Sequence, residues 1–274
     1  MNDIKCATPI SGAHHVNRKN LALVAEAGIE RVEIHLAEPH FPYHDPQAVA
    51  EAAEALAATG VECRSVHLAF ENDYDISATD SAVRAATLED MIEALSVARA
   101  LGAEIAVVHG NDELVAAGRR RERIGLLREG LAGLSDAARE SGVKIALELL
   151  PRDCLGNTSE ELLHIVEGLP AGGIGFCFDV NHANFLEDPA EAILALSGRI
   201  LSYHVSDNDG VDERHWFPFE GVIDWQSVMA AILKSGYEGQ FVFETKGSLE
   251  GEGEKEVVEY LIELRSRFDR LMAL

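Results

Sequence analysis

Residues 175–185 read GFCFDVNHANF, a short apolar run that ends at the carboxylate of Asp179, with the imidazole of His182 close behind. Large and small side chains alternate in this run, as in a β-strand whose successive side chains point to opposite faces. Phe176 and Phe178 therefore share one face, and the smaller residues share the other face with Asp179. Two interpretations are open: a core strand that ends in a polar turn, or a strand that carries Asp179 to a functional site.

Similar runs recur along the chain and alternate with longer segments of helical periodicity. The strand-like runs occupy residues 4–10, 31–36, 64–69, 105–110, 144–150, 175–180, 201–207 and 240–246. Between them, apolar residues recur with the period of amphipathic helices. Several helical segments end in a glycine before the next strand, at Gly28, Gly60, Gly142 and Gly236. Thr158 and Glu161 predict a capping box that opens the helix after the fifth strand.

Repeated strand–helix–strand alternation predicts a parallel sheet covered by helices. Eight such units in 274 residues favour a closed (β/α)8 barrel, the TIM barrel, over an open doubly wound sheet. No GxGxxG motif follows the first strand, which argues further against a dinucleotide-binding fold. Because the sequence contains no linker or low-complexity tract, we expect residues 1–274 to form a single α/β domain.

The composition disfavours several classes of function. The formal net charge of −24 repels a phosphate backbone and argues against nucleic-acid binding. One basic cluster, GRRRERI at 118–124, is interpreted as the solvated start of a helix. No apolar run approaches the roughly 20 residues that span a bilayer, so no membrane association is expected. The four cysteines form no CxxC pair and the start lacks a signal peptide, which favours a reducing, cytoplasmic location.

In a TIM barrel, alternate strand residues point towards the barrel axis, and functional groups lie at the carboxyl ends of the strands. In strand seven, this alternation predicts that Ser202 points inward while Leu201 and Tyr203 point outward. Strands three to eight each place a carboxylate or imidazole inward at the same end: His67, His109, Glu148, Asp179, His204 and Glu244. A single inward histidine is usually a core residue, but a full set at one end indicates a site.

Four of these inward groups are candidate metal ligands. Burying several carboxylates together costs free energy unless a cation compensates their charge. The inward groups of strands five to eight are three carboxylates and one imidazole, which suit Mn²⁺, Zn²⁺, Co²⁺ or Mg²⁺. The sequence therefore predicts a divalent metal ion held by Glu148, Asp179, His204 and Glu244.

Taken in order, the motifs at these strand ends resemble those of one family. They are VVHGN (107–111), ALELLP (146–151) with LGNTSEELL (155–163), FDVNH (178–182), HVSDNDGVDERHWFPFEGVIDW (204–225) and FVFE (241–244). The family is the xylose-isomerase-like TIM barrels, which contains sugar and sugar-phosphate isomerases and epimerases. The resemblance runs from about residue 20 to residue 250. It implies a TIM barrel that acts on a small-molecule carbohydrate, and it is compatible with a homo-oligomer.

The resemblance also implies a chemistry. In the ketose epimerase and isomerase branch, one divalent ion is held at the positions of Glu148, Asp179, His204 and Glu244. The two glutamates act as acid and base through a metal-stabilised enediolate, while His182 contacts a substrate oxygen. Ketose 3-epimerases place an arginine shortly after the strand-seven histidine, where this chain has HVSDNDG (204–210). This departure argues against assignment to that subgroup, and a related sugar-derivative dehydratase is an alternative.

A second branch, the endonuclease-IV-type phosphodiesterases, binds three zinc ions through nine ligands. Chemically plausible residues occupy all nine positions here: His67, His109, Glu148, Asp179, His182, His204, Glu213, His215 and Glu244. Those outside the four predicted ligands are candidates for additional metal or substrate binding. Glu213 stands where that branch has the aspartate of an Asp-Arg-His motif. The net charge of −24 argues against DNA as a substrate, and the presence of both Glu148 and Glu244 disfavours a degenerate, non-enzymatic sugar-binding barrel.

Four further residues are candidate substrate contacts: Glu33, Arg152, Trp216 and Lys246. Glu33 lies on the inward side of strand two. Arg152 follows strand five, and Lys246 shares the inward parity of Glu244 two residues earlier, so either could neutralise a substrate carboxylate or phosphate. Trp216 follows His215 in a loop and could form an apolar wall against a sugar.

Overall fold

The computed structural model describes residues 3–10, 16–36, 38, 41–70, 74–111, 113–169, 173–245 and 254–274. The strands are β1 (Lys5–Ile10), β2 (Arg31–His35), β3 (Glu62–His67), β4 (Ile105–Val108), β5 (Lys144–Glu148), β6 (Ile174–Asp179), β7 (Ile200–His204) and β8 (Gln240–Val242). Each strand pairs in parallel with the next, and β8 pairs with β1. The strands therefore close into the eight-stranded barrel that the sequence predicts.

Helices occupy the connections between the strands, and one more follows the last strand. They are α1 (Arg18–Glu26), α2 (Pro46–Thr59), α3 (Ser81–Ala100), α4 (Ala117–Ser141), α5 (Ser159–Val166), α6 (Val180–Ala183), α7 (Pro189–Ala195), α8 (Trp225–Ser235) and α9 (Glu254–Met272). The predicted glycine endings are confirmed at Gly60 and Gly142, whose φ angles of 72° and 76° lie in the left-handed region. Within the described ranges, no helix is both long enough and apolar enough to cross a bilayer.

The capping box predicted at Thr158 is formed only in part. Thr158 Oγ1 accepts a hydrogen bond from the backbone N–H of Glu161 at 3.2 Å, which caps α5 as expected. The carboxylate of Glu161 instead accepts from the backbone N–H of Gly156 at 2.7 Å and from Arg120 at 2.5 Å. Glu161 therefore ties α5 to the start of α4.

The basic cluster at 118–124 does begin a helix, but the prediction that it is solvated is wrong for two of its arginines. Arg120 makes a bidentate ion pair with Glu161, and Arg123 forms an ion pair with Asp75. Their side chains are only 21% and 12% exposed. Because these guanidinium groups are committed to intramolecular carboxylates, the cluster offers less positive charge to a nucleic acid than its sequence suggests.

The barrel has one apolar layer inside the strands and a larger one between the strands and the helices. Phe176, Phe178 and Tyr203 are fully buried in the outer layer, as the alternation predicts. The inner layer contains Cys177 together with Ile105, Val107 and Ala146. The sequence pattern therefore assigns the faces of β6 correctly.

Leu201 is an exception, because the prediction that it points outward is wrong. The pairing of β6 with β7 shifts register, so that Phe176 pairs with Ile200 but Cys177 pairs with Ser202. Leu201 is the extra residue of this bulge, and it packs against the inner layer. Gly175 leaves room for it, since a Cβ atom at Gly175 would lie 2.6 Å from Leu201 Cγ.

Candidate active site

The carboxyl ends of the strands bring the four predicted metal ligands together. Glu148, Asp179 and His204 are the last residues of β5, β6 and β7, and Glu244 lies just beyond β8. One donor atom from each lies within 4.8 Å of the others. We refer to Glu148, Asp179, His204 and Glu244 as the carboxylate cluster.

Glu148 lies within hydrogen-bond distance of three imidazole rings in this region. Its Oε2 atom lies 3.1 Å from Nε2 of both His67 and His109, and its Oε1 atom lies 3.3 Å from Nδ1 of His204. His67 also donates its Nδ1–H to the carbonyl oxygen of Leu68 at 2.9 Å, so it must carry both ring protons to bond Glu148. Protonated imidazoles thus compensate the negative charge of the Glu148 carboxylate. A divalent cation could take the place of these protons.

The pKa values of the two glutamates of the carboxylate cluster are shifted in opposite directions. Burial opposes the ionisation of Glu148, but the positive charges of His204 and His109 hold its pKa well below the usual range. Burial raises the pKa of Glu244, and the nearby negative charges of Glu148 and Asp179 raise it further. Two carboxyl groups with opposite shifts are suited to act as base and acid.

Asp179 provides a direct test of whether a metal ion fits here. Its Oδ1 atom accepts a hydrogen bond from the backbone N–H of His182 at 2.9 Å, which caps α6. Its Oδ2 atom is buried and receives no hydrogen bond from the described residues. A buried carboxylate oxygen without a donor costs free energy, and a cation would remove that cost. The carboxylate cluster therefore fits a divalent ion of the predicted kind.

Three other predicted residues, His182, Glu213 and His215, form a second group that we call the outer cluster. Their donor atoms lie within 4.8 Å of one another. His182 Nδ1 lies 2.9 Å from the carbonyl oxygen of Leu149, and His215 Nδ1 lies 2.9 Å from that of Glu244. If each Nδ1 donates its proton to this carbonyl, both Nε2 atoms are left to bind a metal ion or a substrate hydroxyl.

The loop after β7 holds the outer cluster in place through Asp207. This fully buried carboxylate accepts hydrogen bonds from the backbone of Phe219 and from Nε1 of Trp225, at 2.9 and 2.8 Å. The backbone of Asp207 also pairs with that of Trp216. Asp207 therefore organises the loop that carries His215. This structural role explains why an acidic residue lies near the site without lining it.

A cavity of about 320 Å³ opens over both clusters. Of the four predicted substrate contacts, Arg152 is the one that lines it among the described residues. The guanidinium of Arg152 forms an ion pair with the carboxylate of Glu213 at 3.1 Å. Trp216 lies outside the lining, with its side chain 37% exposed, and Lys246 falls outside the described residues.

Glu33 also lies away from the cavity. It is fully buried, its Oε1 atom is 2.9 Å from His204 Nε2, and its Oε2 atom accepts from Ser65 Oγ at 2.5 Å. Burial opposes ionisation, but the charge and the hydrogen bond of His204 lower the pKa of Glu33 to about 2. This geometry favours a contact with a metal ligand over the predicted contact with substrate.

No sequence pattern predicted Phe70, which lines the same cavity. Its ring centroid lies 4.2 Å from that of His109 and 4.8 Å from that of His67. Phe70 follows β3 in a loop, where an isolated aromatic residue has no periodic pattern to reveal it. Its ring gives the cavity an apolar wall beside the imidazoles.

The closed barrel and the polar residues at the carboxyl ends of its strands define a TIM-barrel protein whose candidate site lies at the face where that fold carries its active sites. More particularly, the chain belongs to the xylose isomerase-like TIM barrel family, whose model matches residues 21–264. The resemblance noted in the strand-end motifs is thereby confirmed.

Comparison with known proteins indicates a narrower class within this family. The chain is 31% identical over 205 residues to an uncharacterised protein of Methanocaldococcus jannaschii, covering 73% of this chain and 70% of that protein. It is 26% identical to the L-ribulose 3-epimerase of Mesorhizobium japonicum, covering 87% of this chain and 78% of the epimerase. A crystal structure of a D-tagatose 3-epimerase-like protein superposes with a TM-score of 0.81 at 26% identity, covering 98% of this chain and 99% of that chain. The protein is therefore related to sugar epimerases.

Proposed function

We propose that this protein is a divalent-metal-dependent epimerase or isomerase of a sugar or sugar derivative. The observation that carries the proposal is the carboxylate cluster, whose four ligand atoms lie close together and whose Glu148 and Glu244 line the cavity. The relationship to sugar 3-epimerases supports the same class of reaction. Three carboxylates and one imidazole suit Mn²⁺, Zn²⁺, Co²⁺ or Mg²⁺.

The chain's own groups would move the protons. Glu148 would take a proton from the carbon next to the substrate carbonyl, and Glu244 would return one. His182 presents Nε2 to the cavity and would accept a hydrogen bond from a substrate hydroxyl. A divalent ion bound by the carboxylate cluster would stabilise the negative charge that develops on the substrate oxygens.

We expect the purified protein to carry a tightly bound divalent ion and to lose its activity when a chelator removes it. The test is elemental analysis, followed by incubation of ketoses and inososes in D₂O with NMR detection of C–H exchange. Mn²⁺, Co²⁺, Zn²⁺ or Mg²⁺ should restore exchange to the chelated protein. Protein that holds no metal and gains no exchange from these ions would contradict the proposal. Loss of water from the substrate instead of simple exchange would identify the related dehydratase.

The outer cluster supports a second candidate function, a multinuclear zinc phosphodiesterase. That function predicts that the outer cluster binds a second, weaker Zn²⁺, because one nitrogen of each imidazole lies within 4.8 Å of a carboxylate oxygen of Glu213. Zinc titration should detect this second ion in the wild-type protein and miss it in His215→Ala. Equal stoichiometry in the two proteins would instead assign these residues to substrate binding. Cleavage of an abasic-site oligonucleotide would favour the phosphodiesterase, and we expect none because the net charge is −24.

Two further proposals concern the cellular location and the oligomeric state of the protein. A cytoplasmic location is supported by its four cysteines, all of which are free. The resemblance to the family allows a homo-oligomer, which sedimentation analysis would test.

A further inference from the structure

A chain of buried polar groups lies behind the carboxylate cluster. Glu33, in the middle of β2, is placed between His204 at 2.9 Å and Ser65 at 2.5 Å. Ser65 Oγ in turn accepts a hydrogen bond from Nε2 of Gln240 at 2.7 Å. All four residues are fully buried, so β2, β3, β7 and β8 contribute to one solvent-free network.

This network determines which nitrogen of His204 can bind a cation. An ionised carboxylate only accepts hydrogen bonds, so Nε2 of His204 must carry a proton to bond Glu33. The opposite nitrogen, Nδ1, lies 3.3 Å from Glu148 Oε1 and 3.4 Å from Glu244 Oε1. Nδ1 therefore faces the oxygens of the carboxylate cluster, and in the neutral ring it carries the free lone pair.

A purely structural role explains Glu33 less well. A buried ion pair is often no more stable than apolar residues of the same volume, so stability alone gives little reason to place a carboxylate here. A carboxylate that accepts the remote N–H of a metal-binding histidine has a clear benefit, because it fixes the ring and makes it a stronger ligand.

We propose that Glu33 is a positioning residue that holds His204 as its Nε2–H tautomer and aims Nδ1 at the metal ion, while Ser65 and Gln240 hold Glu33. The inference rests on the proposed metal centre, which it extends by a residue that touches neither the metal nor the substrate. Glu33 acts through His204, and Ser65 acts through Glu33.

The test measures Co²⁺ affinity by competition with a coloured chelator, and records the visible absorption spectrum of the bound Co²⁺. We expect Glu33→Gln to weaken Co²⁺ binding by about 10- to 100-fold and to change the spectrum. Ser65→Ala should weaken binding in the same direction by a smaller factor. Glu161→Gln is the matched control, because it makes the same substitution at a carboxylate engaged by Arg120 and should leave the affinity unchanged.

The outcomes separate this inference from the proposed function. Wild-type protein that binds no Co²⁺ would overturn the metal centre and this inference with it. Tight binding by the wild type with an affinity change below about twofold in Glu33→Gln would overturn the inference alone. If Glu33→Gln does not fold, Ser65→Ala decides: an unchanged affinity and spectrum would overturn the role of Glu33. Nitrogen chemical shifts of His204 in the metal-bound wild type should show a protonated Nε2, and a protonated Nδ1 would also overturn it.

Discussion

Glu148→Gln should give a folded protein that neither exchanges substrate protons nor holds a divalent ion tightly. The substitution removes a proton acceptor whose loss alone typically costs about 10²- to 10⁴-fold in rate. It also removes a ligand charge from the carboxylate cluster. We expect the fold to survive because the nearby histidines can lose their protons once the carboxylate that holds them is gone. Their charges are then not left buried and unpaired.

The measurement combines three quantities on the same preparation: C–H exchange in D₂O, metal content and the far-ultraviolet circular dichroism spectrum. Glu161→Gln is again the matched control and should keep activity and metal, because its carboxylate pairs with Arg120 on the helical side of the barrel. Glu244→Gln should abolish exchange as well. Exchange in Glu148→Gln within about tenfold of wild type would contradict the two-glutamate mechanism.

The sequence could predict where the strand ends meet, because alternation along a strand assigns each side chain to a face. Six polar side chains on the inner face at the same end of consecutive strands then had to converge in a closed barrel. Asp179 was placed correctly by this argument, since Phe176 and Phe178 identify the outer face of β6 without ambiguity.

The same alternation could not predict how deep in the barrel a side chain lies, or the register in which neighbouring strands pair. Glu33 and His35 share a face of β2, and the alternation does not show that Glu33 lies behind His204 instead of lining the cavity. Leu201 was assigned to the wrong face because a bulge adds one residue to β7, and an added residue reverses the alternation. Long-range ion pairs such as Arg123 with Asp75 were also beyond prediction, since they depend on how the helices dock.

Gly175→Ala should destabilise the barrel, although alanine is normally the better residue in a strand. A Cβ atom at this position would lie 2.4 Å from the carbonyl oxygen of Arg199 and 2.6 Å from Leu201 Cγ. Contacts this short force the backbone of β7 to move, and overpacking of this kind costs about 1–3 kcal/mol. Because β6 ends at Asp179 and β7 at His204, the shift would also disturb the carboxylate cluster.

Urea unfolding monitored by circular dichroism, with chelator present so that metal binding does not contribute, would measure the change in the free energy of unfolding. Gly125→Ala is the matched control: it lies in α4 with nothing within 4 Å of the added Cβ atom, so it should stabilise the protein by about 0.5–1 kcal/mol. In the double variant Gly175→Ala/Leu201→Ala, the clash with Leu201 is relieved while the clash with the Arg199 carbonyl remains. The two substitutions should therefore be coupled, with only part of the lost stability recovered. A Gly175→Ala protein as stable as the wild type would contradict this prediction. It would show that β7 can move at no cost and that the bulge at Leu201 does not require a glycine at position 175.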